Sequence, residues 1–281
     1  MEIEMIKNYY KDESLRKKMS VLANQTFGLD FELLYQKGYW DKAYSCYSIL
    51  EDDKIVSNVS FHLLELEKAG KRYSAMSIGS VMTDTDYRGK DYARQLMNEV
   101  MKDHPVDVYF LGANETVLNF YPRFGFKPVI LNKFVDNNLE HYIVGDKGKK
   151  LDIEKDLELI DSYVKNRIKN SKDMYVYGDD YLKMFYMLYL YSDHIYLHDG
   201  AIIVCEKEED KLYVYDIYQL EEKNIFDLVG PYTKGVNSVY YSFEAKIDTL
   251  EAYADEEAYL FVKTEKIELL EAWSYPGTSV T

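Results

Sequence analysis

Cysteine is scarce: Cys46 and Cys205 are the only two, far apart and in no metal-like or redox spacing, which argues against a disulfide framework and a zinc site. Positive charge is scarce as well. Lys and Arg number 34 against 49 Asp and Glu, giving a net charge of -15. Proteins that hold a phosphate backbone do so by releasing its counterions to Lys and Arg, so this balance disfavours a nucleic-acid partner. Long apolar runs are missing too. The longest, Met184 to Tyr191, falls short of the roughly 20 residues that cross a bilayer and reads as a buried amphipathic helix, so no membrane partner is expected. The start, Met1-Glu2-Ile3-Glu4-Met5, has no basic segment followed by an apolar stretch. A cytoplasmic protein without a leader or a metal is the expectation.

What is abundant is tyrosine, with 29 copies, many in strand-like alternation, where the ring packs and the hydroxyl stays wet. At 281 residues the chain is about twice the usual domain length, which points to two compact units. Helical spacing is found over 13–27, and Asp30 offers an N-cap for a second short helix to Leu34. Three strand-like runs follow, at 43–50, 55–66 and 73–83, parted by turns at Glu51-Asp52-Asp53 and Ala69-Gly70-Lys71. In the middle run Val59, Phe61 and Leu63 alternate with Asn58, Ser60 and His62, the pattern of a strand with one buried face. An amphipathic helix over 90–102, a strand over 106–113 and a short helix over 115–124 stopped by Gly125 complete a strand-helix-strand crossover.

The polar stretch Gly145 to Lys150 reads as a boundary, giving units of 1–145 and 146–281. The second repeats the element order of the first: helices at 153–168 and 181–190, a hairpin of 195–205 and 211–218, a helix near Ile225 and a strand at 236–243. The expected class is therefore α/β (α+β by some schemes), a mixed twisted sheet flanked by helices, duplicated.

Chemistry concentrates between Val81 and Arg94, where a strand gives way to a helix. The first turn of a helix carries unpaired N–H groups and the positive end of the dipole, so a pyrophosphate placed there gains hydrogen bonds and field together. Gly89 and Ala93 permit close approach, and Arg88, Lys90 and Arg94 supply cations. This segment resembles the GNAT superfamily, whose hallmark here is Arg or Gln, two residues, Gly, one residue, then Gly or Ala. Arg88 and Ala93 match; Asp91 stands where the family has the first small residue, with the three cations beside it to offset its charge.

A second block, Asn114 followed seven residues on by Tyr121, is also similar to that family. The resemblance covers residues 1 to about 145. It implies the GNAT fold, acetyl-CoA as co-substrate, direct transfer in a ternary complex to a primary amine on a small cationic molecule or a Lys side chain, Asn114 assisting cofactor binding, and Tyr121 protonating the departing thiolate. It further implies that backbone N–H groups at Val81, Met82 and Thr83 hold the pantetheine arm, one of them polarising the thioester carbonyl.

The amine must lose a proton before it attacks, at a cost of about 4.6 kcal/mol for a lysine-like group at pH 7. Candidate bases are His62, Glu65, Glu115 and the terminal carboxylate of Thr281. Phe31, Tyr35, Tyr39 and Trp40 are candidates for walling an acceptor pocket, since aromatic faces suit a cationic amine. In the second half the matching loop, Gln219 to Asn224, has no glycine and two adjacent carboxylates, so this copy is expected not to bind CoA. Tandem relatives with one inactive copy include Eis-like aminoglycoside acetyltransferases. Two other readings remain at this level: a non-catalytic CoA sensor, and a tandem aminoacyl transferase fed by charged tRNA, which the acidity opposes.

Overall fold

The computed structural model describes residues 3–40, 44–256 and 258–274. The first half runs β1 (Ile3–Lys7), α1 (Glu13–Phe27), α2 (Phe31–Gln36), β2 (Ser45–Glu51), β3 (Lys54–Lys68), β4 (Lys71–Thr83), α3 (Tyr92–Asp103), β5 (Val108–Ala113), β6 (Lys127–Val129) and β7 (Asn132–Asp136). The second runs β8 (Lys149–Lys150), α4 (Leu157–Asn166), β9 (Met174–Tyr177), α5 (Asp180–Tyr189), β10 (Ile195–His198), β11 (Ala201–Glu208) and β12 (Lys211–Gln219). It closes with α6 (Ile225–Val229), β13 (Ser238–Tyr241), β14 (Glu251–Ala254) and β15 (Tyr259–Thr264). Local chemistry places the helix starts and turns: Asp12 and Asp30 cap α1 and α2 with their side chains. The tight turns at Asp52-Asp53 and Ala69-Gly70 both run through positive φ, the backbone that matches the twist of a hairpin. Among the described residues no helix is long and apolar enough to cross a membrane.

Two mixed sheets result, one ordered β1-β2-β3-β4-β5-β15-β6 with β9 also paired to β3, the other β14-β7-β13-β12-β11-β10-β8. Their cores repeat one plan. An antiparallel pair (β3 with β4, β11 with β12) is followed by a helix and by a strand parallel to the second member (β5, β13). The halves then exchange strands. β15, from the end of the chain, lies antiparallel between β5 and β6 in the first sheet, while β7 lies between β13 and β14 in the second.

The division at 145 and 146 read from the sequence is therefore not where the sheets divide. A cut there removes β15 from one sheet and β7 from the other, leaving ladders of buried N–H and C=O groups unpaired. The polar stretch at 145–148 is a loop that leads into β8, between sheets that exchange strands.

Helices cover both faces of the first sheet. α1, α2 and α5 pack one side around Leu22, Leu34, Leu66 and Leu182, and α3 packs the other around Leu96, Met97, Val59 and Phe61. α5 joins the halves: Tyr181 and Leu182 face the first core, while Met184 and Met187 face the core under β11 and β12. Beneath it Lys183 Nζ sits 2.7 Å from Asp216 and 3.3 Å from Asp179, all three buried.

Several expectations need correction. β3 does not have a single buried face: Asn58, Ser60 and His62 are buried, and it is Leu63 that is 52% exposed. The polar residues there belong to an internal network, not to a solvated surface. The segment 115–124 forms two 3-10 turns, Glu115–Val117 and Tyr121–Phe124, because Pro122 interrupts the run. The helix expected over 153–168 is confined to α4, and β14 and β15 lie beyond the last strand read from the sequence.

The buried tyrosines carry a pH signature. Burial pushes the hydroxyls of Tyr9, Tyr44, Tyr181 and Tyr241 well above the ordinary tyrosine value of 10.0. Because the folded values are raised, stability is fully present below about pH 10 and is lost as pH climbs through the folded values, by about 1.4 kcal/mol per tyrosine per unit. Thermal melts should be flat from about pH 7 to 9 and fall steeply above about 10. A midpoint that holds through about pH 11 contradicts this account.

Candidate active site

The site begins as a fault in the first sheet. The parallel ladder between β4 and β5 covers only Ala75–Ser77 against Val108–Phe110, and beyond it the strands part. The register of β3 on β4 slips between Asn58 and Ser60, and Ser80 takes a φ of 46°. Non-glycine residues seldom adopt such a φ unless their surroundings hold them there. Here Asn58 Nδ2 donates to Ser80 O at 2.9 Å and to Ser60 Oγ at 2.8 Å, and Tyr44 OH donates to Ser60 Oγ at 2.8 Å and to Ser80 Oγ at 3.2 Å. The polar face of β3 thus clamps the bulge that turns β4 away from β5.

The gap is a groove of about 530 Å³, lined along one wall by Ile78 to Thr83 and along the other by Gly112 to Asn114, with Phe120 and Tyr121 beyond. At its end the chain turns through Thr85–Tyr87 into α3. Asp84 accepts from Asp86 N at 3.0 Å and from Lys54, which fixes the turn. Gly89 (φ 82°) and Asp91 (φ 69°) then complete two left-handed steps into the helix. The first turn of α3 has no side-chain cap, so its leading amides keep their donors and the dipole its field.

The structure sorts the residues expected at this cradle. Val81, Met82, Thr83, Arg88, Ala93, Asn114 and Tyr121 line the groove. Gly89, Lys90, Asp91 and Arg94 build the turn without lining it. Lys90 is 2.7 Å from the buried Glu51, which also accepts from Tyr92 OH at 2.5 Å, and these donors hold the Glu51 carboxyl below its usual range. Asp91 accepts from Arg94 Nε at 2.7 Å through each oxygen, and the guanidinium holds its carboxyl low as well. The three cations do not act together as the sequence implies. Two are committed to carboxylates, one of them to Asp91, and of the three Arg88 alone lines the groove.

On the opposite wall Asn114 caps the next turn, its side-chain oxygen accepting from Thr116 N at 3.0 Å and Thr116 Oγ1 at 2.5 Å, so its amide N–H₂ is what it can offer a ligand. Tyr121 is 5% exposed, set among Phe120, Phe126 and Phe261 with centroids 5.2, 6.2 and 5.7 Å away. Phe261 comes from the exchanged strand β15, so the tail of the chain helps to seat this ring. Burial pushes the Tyr121 hydroxyl up to about 12, which keeps it protonated at neutral pH.

A second cavity, of about 180 Å³, opens beside the groove and shares Phe27, Gly79 and Ser80 with it. Of the early aromatics only Phe31 lines it. Trp40 packs behind Phe31, Tyr35 lies under Arg16 at 3.3 Å, and Tyr39 OH donates to Asp161 at 3.1 Å. The remaining walls are Leu29, Tyr44, His62 and, from α5, Tyr181, Leu182, Phe185 and Tyr186. The sequence reading missed the α5 residues, although Tyr181, Phe185 and Tyr189 recur at four-residue spacing and so share one helix face.

Of the candidate bases, His62 lines this cavity, its ring 4.5 Å from that of Tyr181. Glu65 is paired with Arg72 at 2.5 Å and Glu115 is exposed, and neither lines the groove or the cavity. Thr281 lies outside the described residues. In the second half the loop corresponding to the cradle leads into α6, only five residues long and capped by Asn224, whose side chain accepts from Phe226 N. Glu221 and Glu222 beside it pair with Lys223 and Lys246.

Residues 16–129 match the acetyltransferase (GNAT) domain family. Among solved structures, a probable N-acyltransferase from Enterococcus faecalis V583 is similar over 96% of this chain and 74% of its own, with a TM-score of 0.58 at 14% identity. Eis1 from Mycobacterium abscessus is similar over 95% and 74%, with a TM-score of 0.59 at 13% identity. A GCN5-related N-acetyltransferase from Kribbella flavida is similar over 93% and 70%, with a TM-score of 0.56 at 14% identity. These likenesses extend the shared fold across both sheets. No curated protein matches the sequence.

Proposed function

We propose that this chain, whose residues 16–129 match the acetyltransferase (GNAT) domain family, is an acyltransferase that moves an acetyl group from acetyl-CoA to a primary amine within a ternary complex. The observation that carries this reading is the wedge between β4 and β5, which ends at the uncapped first turn of α3 and holds Tyr121 in its wall. The residues present fit the donor. Arg88 and the leading amides of α3 would take the pyrophosphate. The main chain from Val81 to Thr83, along which β4 has left β5, would take the pantetheine amides in the manner of an added strand.

Bound acetyl-CoA supplies the thioester whose carbonyl carbon the amine attacks. His62, in the cavity that meets the groove at Gly79 and Ser80, is the base that accepts the amine proton as the C–N bond forms. Tyr121 gives its phenolic proton to the sulfur as the C–S bond breaks. His62 first relays the ammonium proton to solvent, the one proton released per turnover, and the second proton, which it takes as the C–N bond forms, balances the one that Tyr121 gives to sulfur. An N–H group among Val81, Met82 and Thr83 is the donor to the carbonyl oxygen. The second half, with a short and already capped helix in place of a cradle, binds no CoA; it completes the acceptor side through α5.

A CoA-sensing role drew its support from Asp91 and from the lack of a clear base; the pairing of Asp91 with Arg94 and the place of His62 in the adjoining cavity favour the transferase. Calorimetry of acetyl-CoA with the purified protein, together with thiol release in the presence of amines, tests the proposal. Asp91→Asn should change the acetyl-CoA dissociation constant by less than about threefold, since its charge is already compensated. A gain of about tenfold or more in that variant means the acid opposes the ligand after all.

A further inference from the structure

We propose that the acceptor is a monoamine with a compact apolar body, of the size of one aromatic ring on a short alkyl chain, and not a polyamine or an amino sugar. This rests on the transferase reading above and concerns the second cavity, where α2 and α5 face each other across the bulge of β4.

Three observations carry it. The first is charge. Among the described residues, the eleven that line the cavity include no Asp, Glu, Lys or Arg, although the chain as a whole is strongly acidic. An ammonium group moved into such a space loses its hydration with no carboxylate among the described lining residues to answer it. Cation–π attraction from the aromatic walls returns only part of that loss. One amine can enter by giving its ammonium proton to His62, which passes it to solvent before the amine attacks. A second or third ammonium on the same molecule has no such exit, and the negative field outside draws polycations to the surface without seating them here.

The second observation is size and shape. The cavity is about 180 Å³, and a dry cavity of about 150 Å³ is enough for a benzene ring. Phe31 and Tyr44 stack at 5.5 Å, and Tyr44 and Tyr181 at 4.8 Å, each pair tilted by only 7°, which gives the space a rigid aromatic wall. A hydroxyl-rich amino sugar would bury donors and acceptors against these rings without partners.

The third is an unanswered hydroxyl. Tyr181 is 6% exposed, and its hydroxyl is buried without a hydrogen-bond partner among the described residues. A native core seldom tolerates this unless a ligand completes it. The ring is 4.5 Å from that of His62, so one amine nitrogen can meet both. The apolar body then lies against the wall that Phe31 and Phe185 form, stacked on each other at 6.0 Å.

The experiment has a kinetic and a binding arm, both on the full chain. Thiol release at saturating acetyl-CoA is compared for 2-phenylethylamine, spermidine and kanamycin, and 2-phenylethylamine and spermidine are each titrated calorimetrically into the protein with and without CoA. The expected kcat/KM for 2-phenylethylamine exceeds that for either polycation by about 100-fold, and only 2-phenylethylamine gives saturable heat. Phe185→Asp, which brings a carboxylate to the wall, should shift the ratio toward spermidine by about tenfold or more. Equal or better turnover of spermidine or kanamycin by the unaltered protein overturns the inference and leaves the transferase reading standing. Saturable binding of 2-phenylethylamine with no turnover of any amine does the reverse. Absence of binding by 2-phenylethylamine overturns the inference whatever the kinetics, and needs no variant to fold.

Discussion

Replacing Tyr121 by Phe should lower kcat about 100-fold while leaving the acetyl-CoA dissociation constant within about twofold, because a general acid contributes to the transition state and not to ground-state binding. The ring is held by packing against Phe120, Phe126 and Phe261, and Phe preserves that packing, so the melting temperature should hold. The hydroxyl is pushed up to about 12 by burial, and the active form is the protonated one. Loss of this proton comes only as pH rises through that value, so no decline in rate between about pH 7 and 10 should be traceable to Tyr121. Any decline there should persist unchanged in the Phe variant. A variant with undiminished kcat would remove Tyr121 from the mechanism and leave the thiolate to depart unassisted or to draw its proton from water.

Ala93→Glu should weaken acetyl-CoA binding by about 100-fold or more. Ala93 lines the groove in the first turn of α3, and a carboxylate there meets a doubly charged pyrophosphate at close range, where each like-charge pair near a protein surface is worth up to about 4 kcal/mol. The same substitution is favourable for the free protein. An acidic side chain in the first turn of a helix gains about 0.3 to 1 kcal/mol from the dipole, so the fold should be unchanged or slightly firmer. Loss of binding with a steady melting temperature separates a vacated anion site from a damaged domain. Ala93→Gln, similar in size and uncharged, should lose much less, and an equal loss in both would mean that bulk, not charge, governs the cradle.

The sequence disclosed these two positions for the same reason. Arg88, Gly89 and Ala93 belong to one strand-to-helix turn, and Asn114 and Tyr121 to another, so the spacing within each block is fixed by local backbone geometry. The order of elements in the first half was legible on equal grounds. Caps at Asp12 and Asp30 and turns at Asp52-Asp53 and Ala69-Gly70 are short-range devices. Alternation along β3 was legible as a strand but not as to which face is wet. A run of Asn58, Ser60 and His62 looks the same whether it meets solvent or, as here, a network with Tyr44 and Ser80.

The state of the charges was hidden as well. Arg88, Lys90 and Arg94 read alike as cations near an anion, yet Lys90 turns to Glu51 and Arg94 to Asp91. A salt bridge to a residue on another strand cannot be read from composition. The cavity followed the same rule: His62 and Phe31 were candidates among several, and the approach of α5 brought these two into one cavity.

By itself, then, the amino-acid sequence determined the uncapped strand-to-helix turn proposed as the cofactor cradle, the position of the candidate acid and the repeated plan of the two halves, because each is set by residues within a few turns of one another. Tertiary structure decided the exchange of β7 and β15, the partner of each cation and the apolar chamber between α2 and α5. Those depend on which distant strand edge or helix face is nearest when the chain closes. Edges and faces carry the same hydrophobic pattern whichever partner they meet, so packing chose among partners that the pattern left equivalent.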